Sequence, residues 1–286
     1  MTRWLVTGAA GQLGRDVVAV LENAPDASVT ALSRSRLDIT DADAVDHAVR
    51  GHDVVVNAAA WTDVDGTETA EDAAYAVNAT GPANLAAASA RHGARLLHVS
   101  TDYVFAGDAS APYAEDAAPA PRSAYGRTKL AGEQAVLAAA PESFVVRTAW
   151  VYGEHGRNFV ATMLRLAAGD GPVDVVADQR GSPTWSGDLA RALVELGSAS
   201  SAAPGVYHCT NAGHTTWWGL ARAVFAAAGA DPERVRPTTA AAYARPAVRP
   251  AYSVLAADRW AAAGLTPMRP WEDALAEALP RLLARR

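Results

Sequence analysis

The sequence predicts an α/β fold: a doubly wound parallel sheet of the Rossmann type, followed by a smaller C-terminal substrate-binding lobe. Three observations carry this. Short apolar runs alternate with helical stretches from the first residues onward. The runs are continuously apolar rather than alternating, as expected of parallel strands covered on both faces. A glycine-rich turn joins the first run to the first helical stretch. With 286 residues, half of them hydrophobic, the chain can bury one large domain and an attached lobe.

Taken in order, Arg3–Thr7 reads as the first strand. Arg15–Glu22 has helical periodicity through Val17, Val18, Val20 and Leu21. Val29–Leu32 is the second strand, Ala42–Val49 a helix, and Val54–Asn57 a third strand with a Val-Val-Val run. Ala70–His92 is a long helical stretch with a bend expected at Gly81-Pro82. Arg95–Ser100, Ala124–Ala140 and Phe144–Thr148 continue as strand, helix and strand. After Trp150 the pattern changes. Phe159–Ala168, Leu189–Leu196, Trp217–Ala228 and Trp271–Ala284 read as helices, and Val173–Val176 and Gly205–Cys209 as strands. Asp178–Thr184 is turn-rich, and Pro237–Pro250 is a Pro/Arg-rich loop. Residues 1–150 are therefore expected to form the NAD(P)-binding domain. Residues 151–286 should form mainly the substrate lobe, with the segment at about 185–212 returning to the first domain.

Bulk properties narrow the function. The net charge is -6 and Lys/Arg are not clustered, so no nucleic-acid partner is expected. Cys209 stands alone, which excludes an intramolecular disulfide and fits a reducing compartment. Its Val-Tyr-His-Cys context reads as a small buried side chain. No signal-peptide pattern opens the sequence, and no segment reaches the roughly 18 uninterrupted apolar residues of a membrane helix. A cytoplasmic location is expected.

Gly8-Ala-Ala-Gly11-Gln12-Leu13-Gly14 sits between strand and helix. Glycine there permits a tight turn, close approach to a pyrophosphate and packing of helix on strand, and the helix N-terminus faces the phosphates. After the second strand come Leu32-Ser33-Arg34-Ser35-Arg36, with no carboxylate until Asp38. A carboxylate at that point would hold the ribose 2′-hydroxyl of NAD, whereas Arg accommodates a 2′-phosphate. Arg34 therefore favours NADPH, with NADH as the alternative, unless Arg34 and Arg36 are simply solvated. Asp38 and Ile39 join the candidate cofactor residues.

Tyr125-Gly-Arg-Thr-Lys129 opens a helix, placing Tyr125 and Lys129 on one face a turn apart. The lysine charge is expected to lower the tyrosine pKa, and the tyrosine can protonate a carbonyl oxygen as hydride reaches its carbon. The fourth strand runs into Ser100-Thr101-Asp102-Tyr103-Val104-Phe105 at its carboxyl end, where a doubly wound sheet places ligands. A hydroxyl there can bind the same carbonyl.

These motifs together resemble the dTDP-4-dehydrorhamnose reductase family of extended short-chain dehydrogenases/reductases. The similarity runs almost end to end. It includes Val56-Asn-Ala-Ala-Ala60, Lys129-Leu-Ala-Gly-Glu133, Arg147-Thr-Ala-Trp150-Val-Tyr-Gly153, Asn158-Phe, Asp178-Gln-x-Gly-x-Pro183-Thr184, Gly205-Val-Tyr-His208 and Arg249-Pro-x-x-Ser253-x-Leu255. The resemblance implies reduction of a dTDP-linked 4-keto-6-deoxysugar, with L-rhamnose the default product. A reductase for another dTDP-deoxysugar of antibiotic biosynthesis, such as dTDP-dihydrostreptose, is the alternative. It implies Tyr125 as acid, Lys129 as its partner and Thr101 orienting the keto oxygen. Asn57, Ala58, Ala59 and Ala60 would line the cofactor path. Asp102, Tyr103, Trp150, Asn158 and Arg249 would meet the substrate, Arg249 at its diphosphate. The plain alternatives are core packing for Trp150 and an exposed loop charge for Arg249.

Two departures stand out. Gly66 replaces a lysine common in the family after its Val-Asp. Some members are metal-bridged dimers, but the corresponding positions fall near Asp16 and Gly187, and Gly187 offers no ligand. No metal is expected, and a homodimer is left open. Trp185, Trp217 and Trp218 read equally as core or as a ligand platform. Two rivals share the motifs. Dehydratases and epimerases of the superfamily hold NAD through an acidic residue after the second strand, which Ser33–Arg36 lacks. The regulatory subunit of methionine adenosyltransferase acts through its partner.

Overall fold

Residues 1–284 are described by a computed structural model. The last two residues of the 151–286 segment lie outside the described residues. The apolar runs assemble into one six-stranded parallel sheet made of β1 (Thr2–Thr7), β2 (Ala27–Leu32), β3 (Val54–Asn57), β4 (Arg95–Thr101), β5 (Phe144–Thr148) and β6 (Gly205–His208). Their order is β6-β5-β4-β3-β1-β2. The chain therefore winds outward from β1 in both directions, which gives the doubly wound fold that the sequence predicts.

Side-chain alternation along each strand divides the core into two layers. Trp4, Val6, Val54, Val56, Leu97, Phe144 and Val146 point to one face. There they meet Val17 and Leu21 of α1 (Gln12–Glu22) and Leu189, Leu193 and Leu196 of α6 (Ser186–Ser198). Leu5, Val55, Leu96 and Val145 point to the other. They pack on Val45 and Val49 of α2 (Ala42–Val49), Leu85 of α3 (Gly81–His92) and Val136 of α4 (Ala124–Ala139). Both faces are covered, which explains why the strands read as unbroken apolar runs.

A second apolar cluster lies among α5 (Phe159–Ala167), α7 (Trp217–Ala227) and α8 (Trp271–Ala284). It contains Val160, Leu164, Leu220, Phe225, Leu275 and the buried indole of Trp185. Val173–Val176 pairs in parallel with Val235–Thr238 at its margin. Between these helices the chain re-enters the main sheet, as β6 lines up beside β5 and α6 packs on α1.

Two elements differ from their sequence pattern. The 70–92 stretch is not one helix. It comprises Glu71–Tyr75, a π-helical turn at Ala76–Thr80, and then α3 with Pro82 in its first turn. Proline fits there because it follows directly on the π turn, where the regular i→i−4 ladder is already interrupted. The start of the 237–250 loop belongs to the strand Val235–Thr238. Among the described residues, no helix is long and apolar enough to cross a membrane.

Close approach of α4 to the π turn depends on Gly132, where a Cβ would come within 2.0 Å of the Asn78 carbonyl oxygen. Backbone cannot yield as a flexible side chain can. Gly132→Ala is expected to destabilise the protein by about 1–3 kcal/mol. Denaturant titration would show the loss, and an unchanged midpoint would show that the two segments have room to separate.

Candidate active site

The centre of the site is built by one face of α4. Its helix N-terminus is capped twice, since Ser123 Oγ accepts from Gly126 N (3.1 Å) and Glu68 Oε1 accepts from Ala124 N (2.8 Å). From that fixed start, Tyr125, Lys129 and Glu133 fall on one inward stripe at four-residue spacing. Lys129 is buried, and its Nζ donates to the Val99 carbonyl of β4 (2.8 Å). Glu133 receives Ser100 Oγ (2.5 Å) and the guanidinium of Arg147 (2.7–3.1 Å). The helix is thus bolted to β4 and β5 by three buried polar contacts, and Tyr125 is carried to the carboxyl end of the sheet.

At that end the backbone leaves β4 through Thr101, Asp102 and Tyr103. Thr101 Oγ1 accepts from Tyr103 N (3.2 Å) and donates to Asp102 Oδ1 (3.0 Å). The rings of Tyr103 and Tyr125 meet edge to face, with centroids 5.6 Å apart. Burial pushes the Tyr125 phenol up to about 12, opposed by the Thr101 hydroxyl and reinforced by the Asp102 carboxylate. The expected lowering of this pKa by Lys129 does not occur here. The ammonium is directed at Val99 rather than at the phenol, and burial dominates. Tyr125 is therefore a protonated phenol at neutral pH, the form an acid needs. Burial also lowers Lys129, to about 8, against the opposing pull of Glu133.

Beside this centre, the turn after β1 and the loop after β3 pack back to back. Gly8 has φ +67°, and a Cβ there would collide with Ala58 O (2.7 Å) and Ala59 N (2.6 Å). Asn57 Oδ1 accepts from Thr7 Oγ1 (2.7 Å) and Ala59 N (3.1 Å), fixing both. The order of strands reverses here, where open α/β sheets bind ligands. A cleft of about 220 Å³ follows, lined by Gly8, Gly11, Arg34, Asp38, Ile39, Ala58, Ala59 and Ala60 among others. Thr40 donates to Asp38 Oδ1 through both its N–H (3.0 Å) and its hydroxyl (2.8 Å), lowering that carboxyl pKa. Gly14 closes the turn, as its Cβ would strike Gly8 O at 2.3 Å. Gln12 and Leu13 are not in the cleft lining. Gln12 receives the Asn158 amide, and Leu13 packs on the sheet core.

On the other side of Tyr103 lies a cavity of about 750 Å³ between α5, α7 and the 240–249 segment, lined by Phe159, Met163, Trp217, Arg245 and Arg249 among others. Trp150 has φ +47°, the one positive value on a non-glycine among the described residues. Its ring stacks on Trp217 (3.6 Å between centroids, 8° between planes) and backs onto Gly181. The tryptophan trio thus divides. Trp217 borders the cavity, whereas Trp185 lies buried beneath Arg191, Arg269 and Arg281, and Trp218 Nε1 donates to Val235 O (2.9 Å).

Two sequence-predicted substrate residues are engaged by the protein. Asn158 caps α5 through Ala161 N (2.8 Å) and donates to Gln12 and to Gly153 O. Arg249 forms a two-pronged ion pair with Asp65 (2.5 and 2.8 Å). Asp16 accepts from the Ser186 hydroxyl, and among the described residues no metal-binding group of acidic, His or Cys side chains forms. Sequence reasoning missed Asn78, on the π turn. Asn78 exchanges hydrogen bonds with both backbone groups of Trp61 and donates to Thr128 of α4 (3.1 Å). A polar amide inside an Ala-rich helical stretch was its signal. The pairing of Glu133 with Arg147 was also missed, although Glu133 continues the Tyr125–Lys129 spacing.

The fold and this site define an oxidoreductase of the extended short-chain dehydrogenase/reductase type. The family described as "RmlD substrate binding domain" matches residues 2–284. The chain is 55% identical to the dTDP-4-dehydrorhamnose reductase of Streptomyces griseus, with 99% of this chain and 95% of the relative covered. It is 56% identical to a probable dTDP-4,6-dihydroxy-2-methyloxan-3-one 4-ketoreductase of Streptomyces antibioticus, covering 99% and 96%. A solved dTDP-4-dehydrorhamnose reductase from Bacillus anthracis, in complex with NADP, superposes with a TM-score of 0.93 at 37% identity, over 98% and 99% of the chains. The chain belongs to the dTDP-4-dehydrorhamnose reductase family.

Asp102 offers a test of the site's electrostatics. Burial pushes its carboxyl up to about 6, against the opposing pull of the Ser253 and Thr101 hydroxyls. The folded protein therefore holds a proton that an unfolded aspartate releases near pH 4. Protonated Asp102 supports the fold below that pH, and this support is lost as pH rises through about 6, a cost of about 3 kcal/mol. Asp102→Asn is expected to stabilise the protein by about 1–3 kcal/mol at pH 7.5 and much less at pH 4.5. Denaturant titrations at the two pH values would measure this. Equal destabilisation at both would show that the carboxylate is better accommodated than its burial implies.

Proposed function

We propose that the protein reduces the 4-keto group of a dTDP-linked 6-deoxy-4-ketohexose with NADPH, converting dTDP-4-dehydro-L-rhamnose to dTDP-L-rhamnose. The observation that carries this is the placement of Tyr125. It is a half-buried, protonated phenol at the carboxyl end of the sheet, edge to face with Tyr103, which lines the large cavity. The relatives' substrates and the NADP complex support the same reading.

The cleft fits a dinucleotide. Gly8 and Gly11 line it, the N-terminus of α1 begins at Gly11, and Arg34 belongs to the same lining. Gly8, Gly11 and Gly14 would admit the pyrophosphate, and Arg34 would meet the 2′-phosphate. Ala58, Ala59 and Ala60 would line the path to the nicotinamide. NADPH, when bound, supplies the hydride to the sugar C4.

The chain's residues supply the rest. Tyr125 donates its phenolic proton to the keto oxygen, and the Thr101 hydroxyl, turning its one proton from Asp102 Oδ1 to that oxygen, holds it toward Tyr125. Lys129, fixed by Val99, keeps a positive charge one helical turn from the phenolate that forms. Asp102, Tyr103 and Trp150 shape the sugar subsite. In this reading residues 1–150 hold the cofactor, and the cluster around α5, α7 and α8 holds the nucleotide sugar in the cytoplasm.

A second reading replaces the rhamnose precursor with another dTDP-deoxysugar of antibiotic biosynthesis. The near-equal identity to the Streptomyces antibioticus ketoreductase favours it. Product analysis with each keto sugar, generated in place, separates the two.

Loss of NADPH absorbance with the dTDP-4-keto sugar tests the activity itself. Tyr125→Phe is expected to lower kcat by about 100- to 10,000-fold while NADPH binding stays within twofold. Turnover near the wild-type rate would remove Tyr125 from the acid role. Arg34→Ala is expected to raise the KM for NADPH by about tenfold and leave that for NADH unchanged, as lost charge-assisted contacts to a phosphate predict. An equal effect on both cofactors would place Arg34 outside the 2′-phosphate site.

A further inference from the structure

The segment from Ala240 to Arg249 lines the 750 Å³ cavity as a strap pinned at both ends by carboxylates. At one end Ala240 N donates to both oxygens of Asp178 (2.9 and 3.0 Å). At the other, Ala247 N donates to Asp65 Oδ1 (3.2 Å), and the Arg249 guanidinium clasps the same carboxylate. Beyond Arg249, Tyr252 N and Ser253 N are hydrogen-bonded to Gly107 O and Arg180 O. The intervening residues 241–246 are exposed.

Charge around the cavity is uneven. Its charged lining residues are Asp174, Arg245 and Arg249. Asp174 is paired with Arg236 outside it (3.0 Å). Arg249 is matched by Asp65, and its Nη1 also donates to Ala247 O (2.8 Å), so two of its nitrogens are held by the protein. Arg245 differs. Its side chain is 48% exposed, and its nearest contact with Asp65 is 3.7 Å, too long for a hydrogen bond. Its guanidinium lies over the exposed Tyr243 ring (4.8 Å) and bonds that hydroxyl at 3.3 Å. Two guanidiniums share one carboxylate, leaving an excess positive charge at the cavity lining, on the more solvated of the pair.

We infer that Arg245 is the residue that recognises the diphosphate of the nucleotide sugar, with Arg249 and Asp65 as the clasp that holds the strap carrying it. This rests on the nucleotide-sugar reading above and reverses the role that the sequence resemblance gives Arg249. The strap fixes the backbone on both sides of Arg245, so little order must be gained when an anion docks. The Tyr243 ring and hydroxyl hold the guanidinium at the cavity lining. A diphosphate arriving with its nucleoside in the cavity meets five donors in a planar fork. Asp65, already saturated by Arg249, does not have to be displaced.

The test is calorimetric titration of the NADPH-loaded protein with dTDP, with thymidine measured by competition against dTDP. Arg245→Gln is expected to weaken dTDP binding at least tenfold and to leave thymidine within twofold. It should also flatten the dependence of dTDP affinity on salt. Arg245→Lys, which keeps the charge, should restore most of the dTDP affinity. Asp65→Asn, which loosens the clasp, should weaken dTDP and thymidine together, because the strap lines the cavity for both. Three results would overturn the inference. One is Arg245→Gln binding dTDP as tightly as wild type. Another is Arg245→Gln losing thymidine to the same extent as dTDP. The third is Arg249→Gln, and not Arg245→Gln, losing dTDP selectively. Wild-type protein that binds neither nucleotide would instead sink the nucleotide-sugar reading on which the inference stands.

Discussion

The buried ion pair between Glu133 and Arg147 is the contact on which the geometry of the site depends. Both side chains are almost wholly inaccessible. Two desolvated charges are expensive to hold, and such a pair is neutral to stability at best unless every remaining hydrogen bond is made. Here nearly every one is. Glu133 takes the Ser100 hydroxyl and two guanidinium nitrogens, Arg147 Nη1 reaches the Glu115 carbonyl (3.4 Å), and the guanidinium lies over the Phe105 ring (4.9 Å). What the pair contributes is registry. It sets α4 against β4 and β5 at one position along the helix. A slip of one residue would rotate Tyr125 by roughly 100° and take it out of the site. An apolar contact at the same place would tolerate sliding, whereas a forked guanidinium on a carboxylate does not.

A second constraint acts from the adjoining face of α4. The π turn at Ala76–Thr80 widens the helix where Asn78 must reach both the Trp61 backbone and Thr128. One side chain thereby fixes the loop that borders the cleft beside the glycine turn and the helix that carries Tyr125. Gly132 lets the two segments approach. The π turn departs from regular helix at the point where function needs a polar side chain inside, the usual location of such bulges.

How much of this could be read from the sequence follows from the range of each interaction. The alternation of strands and helices, the glycine turn and the Tyr125–Lys129 stripe are local, and periodicity reports them directly. The two core layers follow from the parity of Trp4, Leu5 and Val6, which the apolar run alone hides because both faces are buried. The partnerships that position the site span long separations: Glu133 with Arg147, Glu68 with Ala124 N, and Asp65 with Arg249. Nothing local marks which carboxylate meets which cation. The direction of the Lys129 ammonium was hidden for a related reason. Spacing places two side chains on one helix face but does not say where an ammonium points, and here it points into the sheet.

Trp150 shows how the catalytic centre and the cavity are kept apart. A bulky residue at positive φ costs on the order of 1–3 kcal/mol and persists only where its surroundings over-determine it. Its surroundings do so. Gly181 leaves no room behind the ring, Trp217 stacks in front, and Thr184 N donates to the Trp150 carbonyl (3.3 Å). The strained residue lies two positions beyond β5, where the chain must leave the sheet for the lobe. In an unstrained conformation the chain would set out in another direction, and the Trp150 ring would lose Gly181 or Trp217. The Trp150–Trp217 stack ties the end of the main sheet to α7, so the cavity wall and the sheet edge carrying Thr101 form one rigid unit. A ligand held in that cavity would thereby be set at a fixed distance from Tyr125, and positioning of this kind is where enzymes gain much of their advantage over solution.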